Sequence, residues 1–264
     1  MTHLRQQYSA PAAEAAAGGF VDLPFSDLTL QQAVCRVREA SEAPCWRYVV
    51  TPNAAHLARL SRGGTALREI YERAHLCLLD SRVVALVARF AGLRPPPVVP
   101  GADLVAQLFA QTIGPATPIC IVGGAPTMVQ RLRQRYSVGN VFHVNPSIGF
   151  WNNPDEVART ADFIVAAQAK FTFLVVGSPQ QEILAHHVAL RGGARGVGIC
   201  AGASLEFLTD VQRRAPRALQ HMSLEWAYRL CMQPRRMAYR YVIESPNGIW
   251  LVLREAFRQQ YQRT

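Results

Sequence analysis

A chain of 264 residues, half of them hydrophobic and 17% charged, can build one sizeable core with room for an appendage, which excludes a disordered polymer. Its formal charge of +10 is unevenly spread: from Arg213 onward ten arginines face three glutamates, so this end would seek phosphates of a nucleic acid, an anionic lipid or a diphosphate substrate. Six cysteines without a C-x-x-C pair argue against a zinc ribbon or disulfide scaffold, and no run approaches the ~18 uncharged apolar residues of a membrane span.

Residues 1–19 (MTHLRQQYSAPAAEAAAGG) lack the apolar segment of a signal peptide and read as a flexible leader. The first strand is R-Y-V-V-T (47–51), closed by T-P-N, which supplies Thr51 and Asn53. The second, H-L-C-L-L-D (75–80), ends on Asp80, and Arg82 opens an amphipathic stretch over 82–91. After the stiff loop Pro95-Pro96-Pro97 comes a second such stretch, 101–112. P-I-C-I-V-G-G (118–124) ends in Gly123 and Gly124, where bare backbone N–H groups can meet a phosphate at the start of the helical pattern 125–136. V-F-H-V-N (141–145), helical 153–168, F-T-F-L-V-V-G (171–177), helical 179–191 and R-G-V-G-I-C (195–200) complete the alternation. Cys77, Cys120 and Cys200 sit inside apolar runs and read as buried free thiols. His186-His187 reads as a solvated helix face, and R-A-P (214–216) as a break before a basic tail with amphipathic helices around 223–232 and 247–257.

Strand and helix at this spacing imply βαβ units. The expected fold is therefore α/β, a Rossmann-like parallel sheet with helices on both faces over residues 20–210, followed by a basic helical appendage over 211–264. In such a sheet ligands bind beyond the carboxyl ends of the strands. The polar residues gather there: Thr51, Asn53, Asp80, Arg82 and the G-S-P-Q-Q-E of 177–182. Each has a plain reading beside the functional one. Asp80 is either a helix N-cap or a general base whose pKa apolar walls raise. Thr51 and Asn53 either shape an Asx turn or face a ligand. At V-V-G-S-P-Q-Q-E (175–182), Ser178, Pro179 and Gln181 form either a capping box or part of a binding rim. Serine-hydrolase and P-loop signatures are absent, and the first strand lacks the glycine fingerprint of a nicotinamide-using oxidoreductase.

The ordered set T-P-N-A-A-H-L (51–57), L-L-D (78–80), P-G-A-D-L (100–104), I-V-G-G (121–124), V-G-S-P-Q-Q-E (176–182), G-V-G-I-C-A-G-A-S-L-E-F (196–207), R-A-P (214–216), L-E-W-A-Y-R-L (224–230) and Q-P-R-R-M-A-Y-R-Y (233–241) resembles the WecG/TagA/CpsF family of bacterial glycosyltransferases. The resemblance implies an inverting transferase that moves a sugar from a UDP-sugar donor to a lipid-diphosphate-linked acceptor. Such an enzyme works at the cytoplasmic face of the cell membrane, in exopolysaccharide, capsule or teichoic acid assembly. It implies no tightly held metal or other cofactor, and it suggests self-association. Carried over, Asp80 is similar to the family's proposed base, Thr51, Asn53 and Asp103 to its pocket residues, and Gln181 to the amide of its P-x-Q-E motif. The tail resembles an appendage that closes the site and touches an anionic membrane. Gly123, Gly124, Arg82, Arg214 and Arg217 are the candidates for holding diphosphate charge.

The sequence departs from the family at Asp80-Ser81, where Asp-Gly is usual, at Val98 in place of an arginine, at Leu205-Glu206-Phe207 in place of F-D-F, and at Asp210 in place of glycine. These departures imply a divergent branch with its own donor or acceptor sugar, and Arg82 as the supplier of the charge missing at Val98. The alternative is a non-catalytic protein on the same fold that binds a nucleotide sugar, a membrane or nucleic acid through its tail. Nucleic acid fits poorly, because the aromatics do not alternate with arginines as in a reading module.

Overall fold

The computed structural model describes residues 20–261; the expected leader, 1–19, lies outside them. Six parallel strands form one sheet: β1 (Arg47–Val50), β2 (Leu76–Cys77), β3 (Ile119–Val122), β4 (Val141–Val144), β5 (Phe171–Leu174) and β6 (Val197–Cys200), in the order β2-β1-β6-β5-β3-β4. All six strands lie within the segments that the sequence marks. The interior strands are mostly apolar on both sides because both faces are covered. Tyr48 and Val50 of β1, Cys120 and Val122 of β3, Leu174 of β5 and Cys200 of β6 pack into one core layer. Val49, Ile119, Ile121, Phe171, Phe173, Val197 and Ile199 pack into the other. Cys77, Cys120 and Cys200 are buried and free.

The connections are helical. Helix α1 (Leu30–Ser41) precedes the sheet; α2 (Ala54–Arg62) and α3 (Gly64–Glu72) join β1 to β2; α4 (Arg82–Phe90) and α5 (Gly101–Gln111) join β2 to β3. Then follow α6 (Pro126–Tyr136), α7 (Pro154–Ala167) and α8 (Gln180–Arg191), one between each later pair of strands. One layer is completed by α1, α5 and α6, through residues such as Val37, Leu104, Leu108 and Leu132. The other is completed by α2, α4, α7 and α8, through Leu57, Val84, Ile164, Leu184 and Val188.

Strand β2 is shorter than expected, although pairing continues past Cys77. Leu78 N–H bonds the Val50 carbonyl, Leu79 pairs with Val98, and Asp80 N–H bonds the Pro52 carbonyl at 2.9 Å. These bonds hold Asp80 at the carboxyl end of the sheet, beside Pro52. His186 corrects the solvated-face reading: its Nδ1 lies 3.2 Å from the Tyr48 hydroxyl, so the ring is half-buried against β1.

Beyond β6 the chain forms α9 (Ser204–Leu208), α10 (Arg217–His221), α11 (Glu225–Met232), α12 (Pro234–Ala238), a π-helical segment Tyr239–Glu244, and α13 (Ser245–Tyr261). The last helix folds back on the core: Val252 and Ala256 are buried in the same layer as Leu57 and Val84. No helix among the described residues is long and apolar enough to cross a membrane.

Candidate active site

The carboxyl ends of β1, β2, β5 and β6 and the C-terminal helices enclose a cleft of about 590 Å³, within the ~300–1,000 Å³ usual for ligand sites. Thr51, Asn53, Asp80, Arg82, Gln181 and Arg214 all line it, so the structure brings together most of the residues read from the sequence. Gly123, Gly124, Asp103 and Arg217 do not line it. Gly123 and Gly124 have φ of +93° and +77°, and their carbonyls meet His143 Nε2 at 3.2 Å each. Asp103 stands behind the wall and is spent on ion pairs, 2.5 Å to Arg214 Nη1 and 4.0 Å to Arg82 Nη2. Arg217 is exposed at the start of α10.

Asp80 is not the helix cap. Ser81 takes that role, its Oγ accepting from Val84 N–H at 3.2 Å, and the Asp80 carboxyl makes no side-chain hydrogen bond or ion pair to any described residue. Burial pushes this carboxyl up to about 7; Arg229 opposes the rise and Glu225 adds to it. A carboxylate with free lone pairs and a pKa near neutrality can accept a proton at physiological pH.

Asn53 is a helix cap, its Oδ1 accepting from Ala55 N–H at 3.2 Å, while its side-chain N–H groups remain without a protein partner among the described residues. Thr51 is buried, its hydroxyl 3.4 Å from the Cys200 carbonyl. The capping-box reading of 178–181 is corrected. Helix α8 starts at Gln180 with no side-chain cap, following a cis Ser178–Pro179 bond. The Ser178 hydroxyl instead accepts from Arg59 Nη1 at 3.1 Å. Gln181, 4% exposed, accepts from Gly202 N–H at 3.0 Å through Oε1 and donates to Glu182 Oε1 at 2.8 Å through Nε2. Its amide supports the β6 loop as well as facing the cleft.

Sequence reasoning missed the cations that matter most in this geometry. Arg229 on α11 lies 4.9 Å over the Phe207 ring and pairs with Glu225, which also draws Arg214 Nε to 3.8 Å. Arg240, in the π-helical segment, lines the cleft with no carboxylate partner among the described residues. Burial holds its guanidinium below the ordinary range, and Arg229 and Arg59 repel it further. A desolvated guanidinium beside two others is suited chemically to meet an anion. The available signal was position: Arg229 stands four residues after Glu225 on an amphipathic helix, and Arg240 lies between Tyr239 and Tyr241. Residues 19–262 match the model of the Glycosyl transferase WecG/TagA/CpsF family.

Proposed function

This chain belongs to the Glycosyl transferase WecG/TagA/CpsF family, glycosyltransferases of cell-surface polysaccharide synthesis, and we propose that it transfers a sugar from a UDP-sugar to a polyprenyl-diphosphate-linked acceptor with inversion. The observation that carries this reading is the pairing, in one cleft, of an unengaged carboxyl at Asp80 with an unengaged guanidinium at Arg240. Transfer to a hydroxyl needs both a proton acceptor and a site for the departing diphosphate.

In the proposed step the acceptor oxygen attacks the anomeric carbon from the face opposite the diphosphate. The new C–O bond forms as the bond to UDP breaks with its electron pair, and the hydroxyl proton passes to Asp80. Arg240 and Arg229 receive the charge that develops on the diphosphate. Asn53 and Gln181 orient the sugar through side-chain amides on the strand rim. General-base assistance contributes about 10²–10⁴-fold, so positioning and charge stabilisation supply the rest.

The acceptor is lipid-linked, and α13 suits a peripheral place at the cytoplasmic face of the membrane. Trp250 and Phe257 are 59% and 64% exposed, and Arg254 lies between them in sequence, a combination that binds anionic interfaces.

The deciding experiment offers the full chain a panel of UDP-sugars and a synthetic polyprenyl-diphosphate sugar in anionic vesicles. Release of UDP with a lengthened lipid product, inverted at the anomeric carbon by NMR, supports the proposal. No transfer from any donor, together with tight binding of a short DNA duplex at moderate salt, overturns it.

A further inference from the structure

Behind the cleft wall lies a buried polar group that the proposed step does not use. Glu182 is 1% exposed, on the inner face of α8 beside Leu184, Ala185 and Val188. Its Oε1 accepts from Gln181 Nε2 at 2.8 Å and lies 3.5 Å from His56 Nε2, while Oε2 has no partner. On its far side the His56 ring meets Asn53: Nδ1 is 2.8 Å from Asn53 Oδ1 and 3.3 Å from the Asn53 backbone N–H. Gln181 in turn holds the Gly202 N–H. Asn53, Gln181 and Gly202 all line the cleft; Glu182 does not.

We infer that Glu182 and His56 are positioning residues: the buried carboxylate orients the His56 ring and the Gln181 amide, and through them fixes Asn53 and the Gly202 turn against the bound nucleotide sugar. A buried carboxylate with an unmatched oxygen is poor material for a core, and an apolar residue of similar volume is often as stabilising or more so. The site keeps the charge, and its contacts run to two cleft residues on different helices, Gln181 on α8 and His56 on α2. Burial opposes ionisation of Glu182, yet His56 and the Gln181 amide hold its carboxyl below the usual range. Burial likewise holds His56 below its ordinary value. The neutral ring therefore carries one proton. On Nε2 it serves Glu182 and leaves Nδ1 to accept the Asn53 N–H; on Nδ1 it serves Asn53 Oδ1. The two arrangements compete: the carboxylate favours the proton on Nε2, the 2.8 Å contact with Asn53 Oδ1 favours it on Nδ1, and the charge on Glu182 therefore bears on Asn53 through the ring.

The ligand in this inference rests on the transferase reading, but its central claim concerns positions, and the test separates the two. In Glu182→Gln, which keeps shape and removes charge, the ring nitrogen shifts of His56, the Asn53 side-chain amide and the Gly202 N–H should all move in NMR spectra of the folded full chain. UDP should bind more weakly, and kcat/KM should fall toward the ~10²-fold expected for a misplaced orienting group. The loss should shrink several-fold when Glu182→Gln is made in an Asn53→Ala background, because it acts through Asn53. His56→Gln should retain more activity than His56→Leu at equal stability. Shifts confined to residues 181–183, or losses that simply add, overturn the inference. A wild-type chain with no UDP binding and no transfer would sink the transferase reading, and the NMR comparison alone would then decide this one.

Discussion

Arg59 on α2 and Glu244 in the C-terminal π-helical segment meet through two hydrogen bonds of 2.8 Å, and Arg59 continues to the Ser178 carbonyl at 3.2 Å. One guanidinium thus ties the appendage, α2 and the β5 loop together at the cleft. The side chains are only 24% and 11% exposed, so the bidentate pair contributes more than a surface bridge. Arg59→Ala should cost about 2 kcal/mol, in the range of charged hydrogen bonds. It should also raise hydrogen exchange through 239–261 and lower kcat/KM, because Arg240 lies on the same segment. The bond to Arg59 holds the Glu244 carboxyl below its ordinary 4.5. A depressed acid stabilises the fold above its unfolded value and loses that contribution as pH falls through the folded one. The stability gap between wild type and variant should therefore narrow as pH falls below 4.5 and through the depressed folded value. Unchanged exchange at neutral pH in the variant would show that the pair does not hold the appendage.

Asp80 carries the opposite sign. Burial raises its carboxyl from 3.8 to about 7, so the folded chain binds a proton that the unfolded chain has released across that window. Asp80 therefore weakens the fold progressively as pH rises from about 4 to 7. Asp80→Asn should be more stable than wild type at pH 8, by at most about 4 kcal/mol, and equal to it near pH 3. Turnover should fall by about 10²–10⁴-fold with UDP affinity nearly unchanged. The wild-type rate should rise with pH through a limb near 7 that the variant lacks. A variant with wild-type turnover would remove Asp80 from the reaction.

Asp80 and the Arg59–Glu244 pair mark the boundary of what the chain reveals in one dimension. Asp80, Asn53 and Gln181 were legible because parallel strands deliver their carboxyl ends to one edge. The strands themselves were legible because residues such as Ile119, Cys120, Ile121 and Val122 are buried in alternation on two covered faces. What the side chains do on that edge depends on partners far along the chain. Ser178 loses its capping role to Arg59, 119 positions away, and Gln181 turns to Gly202. The choice among ten basic residues in the tail was illegible for the same reason. Arg240 faces the cleft while Arg217 does not, because tertiary contacts orient the C-terminal helices.

Arg240 makes a prediction with a split readout. Its guanidinium is desolvated and repelled by Arg229 and Arg59, so Arg240→Ala should leave thermal stability unchanged or raise it. The same change should weaken UDP binding by roughly 10–100-fold, the scale of a lost charge-assisted phosphate contact. It should also flatten the salt dependence of that affinity. Calorimetry at two ionic strengths beside a melting curve reads both effects. Parallel loss of stability and affinity would mean that Arg240 is structural.

Gly248 tests whether the appendage shapes the cleft without touching a ligand. On α13, a Cβ at this position would stand 1.9 Å from the Ala54 carbonyl oxygen, a backbone atom at the first turn of α2 that no rotamer change can clear. Helix propensity alone predicts that Gly→Ala stabilises an exposed helix interior by about 1 kcal/mol. The clash predicts the reverse, an overpacking cost of about 1–3 kcal/mol. Because Pro246 and Ile249 on either side of it line the cleft, relief of the clash by outward movement of α13 should open the site. Gly248→Ala should then lower kcat/KM at least about tenfold, as a displacement near 1 Å can. Hydrogen exchange should rise in 245–261, with the sheet strands protected as in wild type. A stabilised variant with full activity would mean that propensity wins and that α13 can shift without disturbing the cleft.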